Sequence, residues 1–231
     1  MFYQPIISKG VFFLEPDESK HAIRVLRHRA GDIIHVTDGA GFLYEARILS
    51  EDQHQCSCEV ITVTPSPLLP YSIHLAISPL NHPDRLEWFV EKAVELGVDR
   101  ISIIICDRTE KRHTKPERLQ KIAVGAMKQS QRLTLPLIEG PVPFNKFIQS
   151  SDADQKFIAY VDMNNPLHLI NHARKSLRYV ALIGPEGDFT DGELNLALHG
   201  GFVKVSLGTH RLRTETAGIV ACHVLNLINL S

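Results

Sequence analysis

No stretch of this 231-residue chain stays apolar for the length of a bilayer core, so a membrane-spanning helix is excluded. The start, Met1-Phe2-Tyr3-Gln4, lacks the charged opening and apolar run of a secretory signal, and a cytoplasmic protein is expected. Cysteine is scarce. Cys56 and Cys58 make one Cys-x-Cys pair, but Cys106 and Cys222 stand alone, so a tetrahedral metal framework has no second pair of ligands. Free thiols and no metal are expected. An excess of one charge is missing too: 25 Lys and Arg face 26 Asp and Glu, for a net charge of −1. That argues against a uniformly basic nucleic-acid binder while leaving room for local basic patches. No Gly-x-x-x-x-Gly-Lys-Ser/Thr phosphate loop and no Gly-x-Ser-x-Gly nucleophile turn occur. Gly39-Ala40-Gly41 begins a dinucleotide fingerprint, but Tyr44 fills its last glycine position and a strand pattern follows where a helix is required.

What is present divides at the proline-rich connector Thr64-Pro65-Ser66-Pro67-Leu68-Leu69-Pro70. Before it, Ile33–Thr37, Phe42–Leu49 and Cys56–Val63 have the branched or alternating pattern of strands, with a tight turn at Asp38-Gly39-Ala40-Gly41. A helix from about Asp17 to Arg29 precedes them, which fits a small β-barrel with one helix. After the connector, strands and helices alternate. The strands are Tyr71–Ile77, Ile101–Ile105, Phe157–Val161, Tyr179–Ile183 and Val203–Leu207. The helices are Asp84–Leu96, Pro116–Gln131, one opened by a Thr190 to Glu193 capping box and running to His199, and Thr214–Leu230. Continuous apolar strands between helices predict an α/β domain whose parallel sheet is covered on both faces. The last helix is apolar over more than one stripe, which suits a core position or a subunit contact.

Two glycine-containing segments follow strands: Leu182 to Phe189 and Leu207 to Thr216. Open α/β sheets place ligands at such carboxyl-end turns, where glycine lets backbone groups approach closely. With Glu186, Arg213 and Glu215 among these strand ends, a pocket is the better reading than two plain turns. Basic residues cluster twice. Lys20, Arg24 and Arg27 share a face at helical spacing. Between Asp107 and Arg132 there are eight Lys and Arg against three acids. Both clusters suggest phosphate contacts.

Gly184-Pro185-Glu186-Gly187, then Leu207-Gly208 and Leu212-Arg213-Thr214-Glu215-Thr216-Ala217, resemble the ribosomal RNA small subunit methyltransferase E family of the SPOUT class. Further matching segments are Arg24-Val25-Leu26-Arg27 with Gly31-Asp32, Lys92-Ala93, Glu95-Leu96-Gly97-Val98, and Gln129-Ser130-Gln131-Arg132 with Pro136. Asp188, Lys128 and the stretch Leu80-Asn81-His82 depart from the family pattern. The resemblance implies a PUA-like RNA-binding barrel over residues 1–68 and a SPOUT α/β domain with a deep trefoil knot over residues 71–231. It also implies a homodimer and methylation of N3 of a uridine in 16S ribosomal RNA of the small subunit. S-adenosyl-L-methionine would be held by Leu182, Ile183, Gly184, Pro185, Glu186, Gly187, Leu207, Gly208, Leu212, Arg213 and Thr214. Loss of the N3 proton puts charge on the base oxygens, which calls for a cation. Arg213 is the first candidate and Arg132 the second. Glu186 or Glu215 would accept the proton, with an Arg213–Glu215 ion pair as the structural alternative. Lys20, Arg24, Arg27, Arg108, Lys111, Arg112, Arg118 and Lys121 would meet RNA. The rival readings are a non-catalytic assembly factor and a methyltransferase of the same class with another RNA target.

Overall fold

The computed structural model describes residues 1–8, 10–162 and 167–230. The chain falls into two compact units, Met1–Leu68 with Met127–Leu135, and Leu69–Ala126 with Pro136–Ser231.

In the first unit, β1 (Phe2–Tyr3), β2 (Val11–Phe13), α1 (Pro16–Lys20), β3 (Ile33–Thr37), β4 (Phe42–Ile48) and β5 (Ser57–Pro65) follow in order. The described residues form a five-stranded sheet in the order β1-β3-β4-β5-β2, antiparallel apart from the β1–β3 pair. Alternation along the strands sends Ile34, Val36, Ala46, Ile48 and Cys58 inward to pack with Phe2, Phe12 and Cys56. Gly39 and Gly41 make the β3–β4 turn at φ of 73° and 102°, values that suit glycine, and Asp38 Oδ1 accepts the Ala40 N–H at 2.7 Å. Residues 133–135 bond to this turn: Gly41 N–H donates to Leu133 O, and Leu135 N–H donates to Gly39 O.

The first helix is shorter than its periodicity predicts. After Lys20 the backbone widens into a π turn over His21–Val25, with Leu26 N–H donating to His21 O, and Arg27 turns out at φ 59°. Lys20, Arg24 and Arg27 are all exposed, yet the widened turn removes the shared helical face that their spacing suggested.

The second unit runs β6 (Ser72–Ile77), α2 (Pro83–Glu95), β7 (Arg100–Ile105), α3 (Pro116–Gln129), β8 (Leu137–Pro143), α4 (Phe144–Ser150), β9 (Gln155–Ala159), α5 (Leu169–His172), β10 (Arg178–Ile183), α6 (Asp191–His199), β11 (Val203–Val205) and α7 (Thr214–Leu230). The C-terminal end of α3 lies in the segment that clusters with the first unit. The described strands form one six-stranded parallel sheet, ordered β11-β9-β10-β6-β7-β8. Side chains alternate across it. Val180 and Leu182 pack with Phe144, Phe147 and Ile148 of α4 and Ala197 of α6. Tyr179 faces the other way, where its hydroxyl meets Asn229 of α7 at 3.2 Å. Both faces are therefore covered, which is why β10 is buried along nearly its whole length. On the α7 side, Gly218 lies against the Phe89 ring of α2, and a Cβ there would overlap it. The expected capping box is present at Thr190 and Glu193.

The edge strand β8 and helix α4 were not assigned from sequence. Two prolines disguise β8, and a sheet edge tolerates them because no neighbour needs the missing N–H. Gly140 sits at φ 106° so close to β7 that a Cβ would lie 2.5 Å from the Ile103 carbonyl oxygen.

Burial, with Arg100 nearby, pushes His74 of β6 down to about 3, and the neutral ring shares a 2.8 Å hydrogen bond with Ser102 Oγ. Unfolded, the ring takes a proton near its ordinary value of 6.5. His74 thus contributes stability that is present above that value and is lost as the pH falls from there toward 3. Urea unfolding between pH 6 and 4 should show His74→Gln lacking a slope of about 1.4 kcal/mol per pH unit that the parent has. Parallel slopes in the two proteins would show that His74 does not titrate this way.

Candidate active site

The sheet order puts β10 between β9 and β6. Ile183 ends level with Ile77, and Ser78 N–H donates to Ile183 O at 3.1 Å. From this pair the chain leaves toward β7 on one side and, past β9, toward β11 on the other, which is a topological switch point. The loops at 78–82 and 184–190 therefore start side by side. The loop after β7 joins them. Thr109 Oγ1 and Ser78 Oγ are 2.8 Å apart, and both residues are buried. Arg108 reaches across to donate to Gly187 O at 2.7 Å and Phe189 O at 3.3 Å. From the start of α7, Thr214 Oγ1 donates to Gly184 O at 3.0 Å. The two glycine-containing segments are thus brought together, joined by a hydrogen bond between residues 30 apart in the chain.

An acid–guanidinium cluster sits on this junction. Arg85, in the first turn of α2, lies 3.8 Å from Glu186 Oε1 and 3.9 Å from Glu215 Oε1. Asn81 Nδ2 donates to Glu186 Oε2 at 2.9 Å and to Glu110 Oε2 at 2.6 Å. Glu215 is 7% exposed, and among the described residues no donor reaches its buried Oε2. Glu186 is exposed and lines a cavity of about 360 Å³ with Asn81, Arg108, Pro185 and Gly187. Asp188 holds φ 61°, a left-handed conformation that costs a non-glycine residue. Burial raises its carboxyl, and N–H bonds from Phe189 at 2.8 Å and Val161 at 3.4 Å pull the other way.

The remaining sequence candidates fall as follows. Leu182, Ile183 and Pro185 are buried, and Leu207 and Leu212 are half-buried. Gly208 is exposed at φ 147°, held by Ser206 Oγ through its N–H at 3.2 Å and its carbonyl at 2.8 Å. Arg213 is exposed, and the ion-pair partner of Glu215 is Arg85, not Arg213. Arg132 lies in the segment that clusters with the first unit. Lys111, Arg112 and Lys121 are exposed, Arg118 donates to Glu87 at 2.7 Å, and Lys128 pairs with Glu18. Arg108, read from sequence as part of a basic patch, is folded onto the 184–190 loop.

Residues 67–226 match the model of the RNA methyltransferase domain, and residues 14–61 match that of the RNA methyltransferase PUA domain. The ribosomal RNA small subunit methyltransferase E of Synechocystis is 31% identical over 89% of this chain and 69% of its own length. The chain belongs to this methyltransferase family. The Bacillus subtilis member is 29% identical over 96% of this chain and 92% of its own. A crystal structure from Porphyromonas gingivalis, named a "probable rRNA-methyltransferase", is 39% identical, with a TM-score of 0.93 over 99% of this chain and 98% of that one. The Neisseria gonorrhoeae ribosomal RNA small subunit methyltransferase E, bound to S-adenosyl methionine, is 30% identical, with a TM-score of 0.87 over 99% of this chain and 97% of that one.

Sequence reasoning missed Asn81 and Arg85. Their signal was available: both follow the carboxyl end of β6, the edge where ligand-binding groups of such sheets gather. Only the strand order, however, sets that edge beside Glu186. The Thr214–Gly184 bond is the simplest contact to test. Thr214→Val keeps the shape but leaves the Gly184 carbonyl without this donor, and should cost about 1 kcal/mol in chemical denaturation. No loss would mean that the bond does not hold the two segments together.

Proposed function

We propose that this protein uses S-adenosyl-L-methionine to methylate N3 of a uridine in 16S ribosomal RNA of the small subunit. The observation that carries this is the junction of Gly184–Gly187 with Leu212–Glu215 at the switch point of the sheet, in a chain of the methyltransferase E family. The residues suit the cofactor. Glu215 Oε2 is a buried acceptor with no donor among the described residues, in keeping with a cationic ligand. Nothing stands within 4 Å of a Cβ placed on Gly208, so the space beside it is open to a ligand. Leu182, Ile183, Gly184, Pro185, Glu186, Gly187, Leu207, Gly208, Leu212, Arg213 and Thr214 would hold it, and when bound it supplies an electrophilic methyl group.

The chain's own part is to bind the base, move a proton and balance charge. The N3 proton passes to a carboxylate, Glu186 or Glu215. The charge that spreads onto the base oxygens is met by Arg213, with Arg132 the second candidate. Arg213 is exposed, which leaves its guanidinium open to a substrate. Lys20, Arg24 and Arg27, with Lys111, Arg112 and Lys121, would grip phosphates while the target base is turned out of its stack; Arg108 and Arg118 would join them only by giving up their contacts to the 184–190 loop and to Glu87. Residues 1–68 are read as the PUA-like RNA-binding domain and residues 71–231 as the SPOUT domain with its trefoil knot. The protein is read as a cytoplasmic homodimer; in support, α7 leaves Leu227 and Leu230 exposed. No described helix is long and apolar enough to cross a membrane.

Calorimetric titration with S-adenosyl-L-methionine should give saturable binding that Gly187→Trp removes. No binding by the parent protein would favour a non-catalytic role in ribosome assembly. Arg213→Ala should stay folded and lose about a hundredfold in methyl transfer to small subunits carrying unmethylated 16S rRNA. Near-parental turnover would remove Arg213 from the mechanism, and transfer to tRNA in place of rRNA would move the target.

A further inference from the structure

The sequence leaves two acids open as proton acceptor, and the structure treats them differently. Glu215 is buried and, among the described residues, forms its ion pair with Arg85. Glu186 is exposed, lines the cavity of about 360 Å³, and is held from two sides. Arg85 stands at 3.8 Å from one carboxylate oxygen, and Asn81 donates to the other at 2.9 Å. Such a cavity is at the lower end of small-ligand pockets, about 300–1,000 Å³, and suits one nucleobase. We infer that Glu186 is the acid that faces the target base in this cavity, and that Arg85 and Asn81 are positioning residues that aim it. This rests on the functional reading above.

The order of dependence follows from burial. Glu215 is a carboxylate out of water, so a cation beside it is strongly favoured over none. Arg85 is therefore anchored from within by Glu215, and its remaining face meets Glu186. Asn81 supplies the hydrogen bond that the 3.8 Å contact of Arg85 does not. It also ties Glu186 to Glu110, so an amide donor separates two acids that would otherwise repel. The proton lost from N3 goes to Glu186, and the N3 electron pair bonds the methyl carbon as that carbon's bond to the cofactor sulfur breaks, the electrons of that bond staying on the departing thioether. The proton then leaves from an exposed side chain to water.

Two sets of measurements test this. In the first, steady-state methyl transfer to small subunits carrying unmethylated 16S rRNA is compared across variants. Glu186→Gln should lower kcat about a hundredfold. Arg85→Met should lower it about tenfold or more, Arg85→Lys should recover most of that, and the RNA KM should stay within about twofold. Because Arg85 acts through Glu186, Arg85→Met with Glu186→Gln should be no slower than Glu186→Gln alone. Multiplying losses, or an Arg85→Met enzyme with parental kcat, would overturn the assignment. So would a Glu186→Gln enzyme whose only defect is weaker S-adenosyl-L-methionine binding by calorimetry, with parental kcat at saturating cofactor, which would leave Glu186 a cofactor ligand alone. The second set needs no turnover. Arg85→Met should lower the Tm by about 3 °C or more, and adding Glu215→Gln should recover at least half, since it removes the stranded charge. Additive losses would show that Glu215 does not anchor Arg85. If the parent protein transfers no methyl group, the functional reading falls and the role of Glu186 with it. The Tm comparison still decides the anchoring.

Discussion

Parallel pairing of β6 with β10, two strands about a hundred residues apart in the chain, is the constraint on which the rest of this molecule depends. It brings Ile77 level with Ile183 and starts the 78–82 and 184–190 loops from neighbouring points. Long-range pairing of this kind is costly in chain entropy. Here it is offset by burial on both faces, with α4 and α6 on one side and α2 and α7 on the other. Once the pair is fixed, α2 must leave from the same edge at which the 184–190 loop turns, and Arg85 falls beside Glu186.

The loops at that edge are held more by polar groups than by apolar packing. Arg108 on two carbonyls, Thr214 on Gly184, and Ser78 with Thr109 are each modest bonds, but together they join three loops and the start of α7. A site held in this way keeps backbone groups in fixed places while leaving the charged tips of Glu186 and Arg213 in solvent. Asp188 shows a cost of the arrangement. It occupies a left-handed backbone position and a half-buried site, and both are offset by N–H bonds to its carboxylate.

The basic residues illustrate why composition alone is a weak guide to a surface. Arg118 and Lys128 are spoken for by Glu87 and Glu18, and Arg108 serves a loop. Lys20, Arg24, Lys111, Arg112 and Lys121 remain exposed. The π turn after Lys20 also changes which of the first cluster point together, and no spacing rule written for an α-helix anticipates that.

Three strands of the first unit, five of the second, the capping box at Thr190 and the long amphipathic helices of the second unit were legible in the amino-acid order, because they follow from periodicity and from local hydrogen bonding, whereas the short β1 and β2 carry too few residues to show a period. The glycine-containing segments were legible as candidate ligand loops, since φ values such as that of Gly208 suit glycine, and their motifs carried the family resemblance. The edge strand β8 was not legible, because prolines and a glycine are acceptable there only when the sheet edge is known. Nor was the grouping of Met127–Leu135 with the N-terminal unit, which depends on bonds to the Asp38–Gly41 turn. The partner of Glu215 was beyond reach for the same reason. Local sequence offered Arg213, two residues away, whereas strand order delivered Arg85 from a distant helix. Local patterns decide which segments form, but contacts between segments far apart in the chain are decided only when the sheet is assembled.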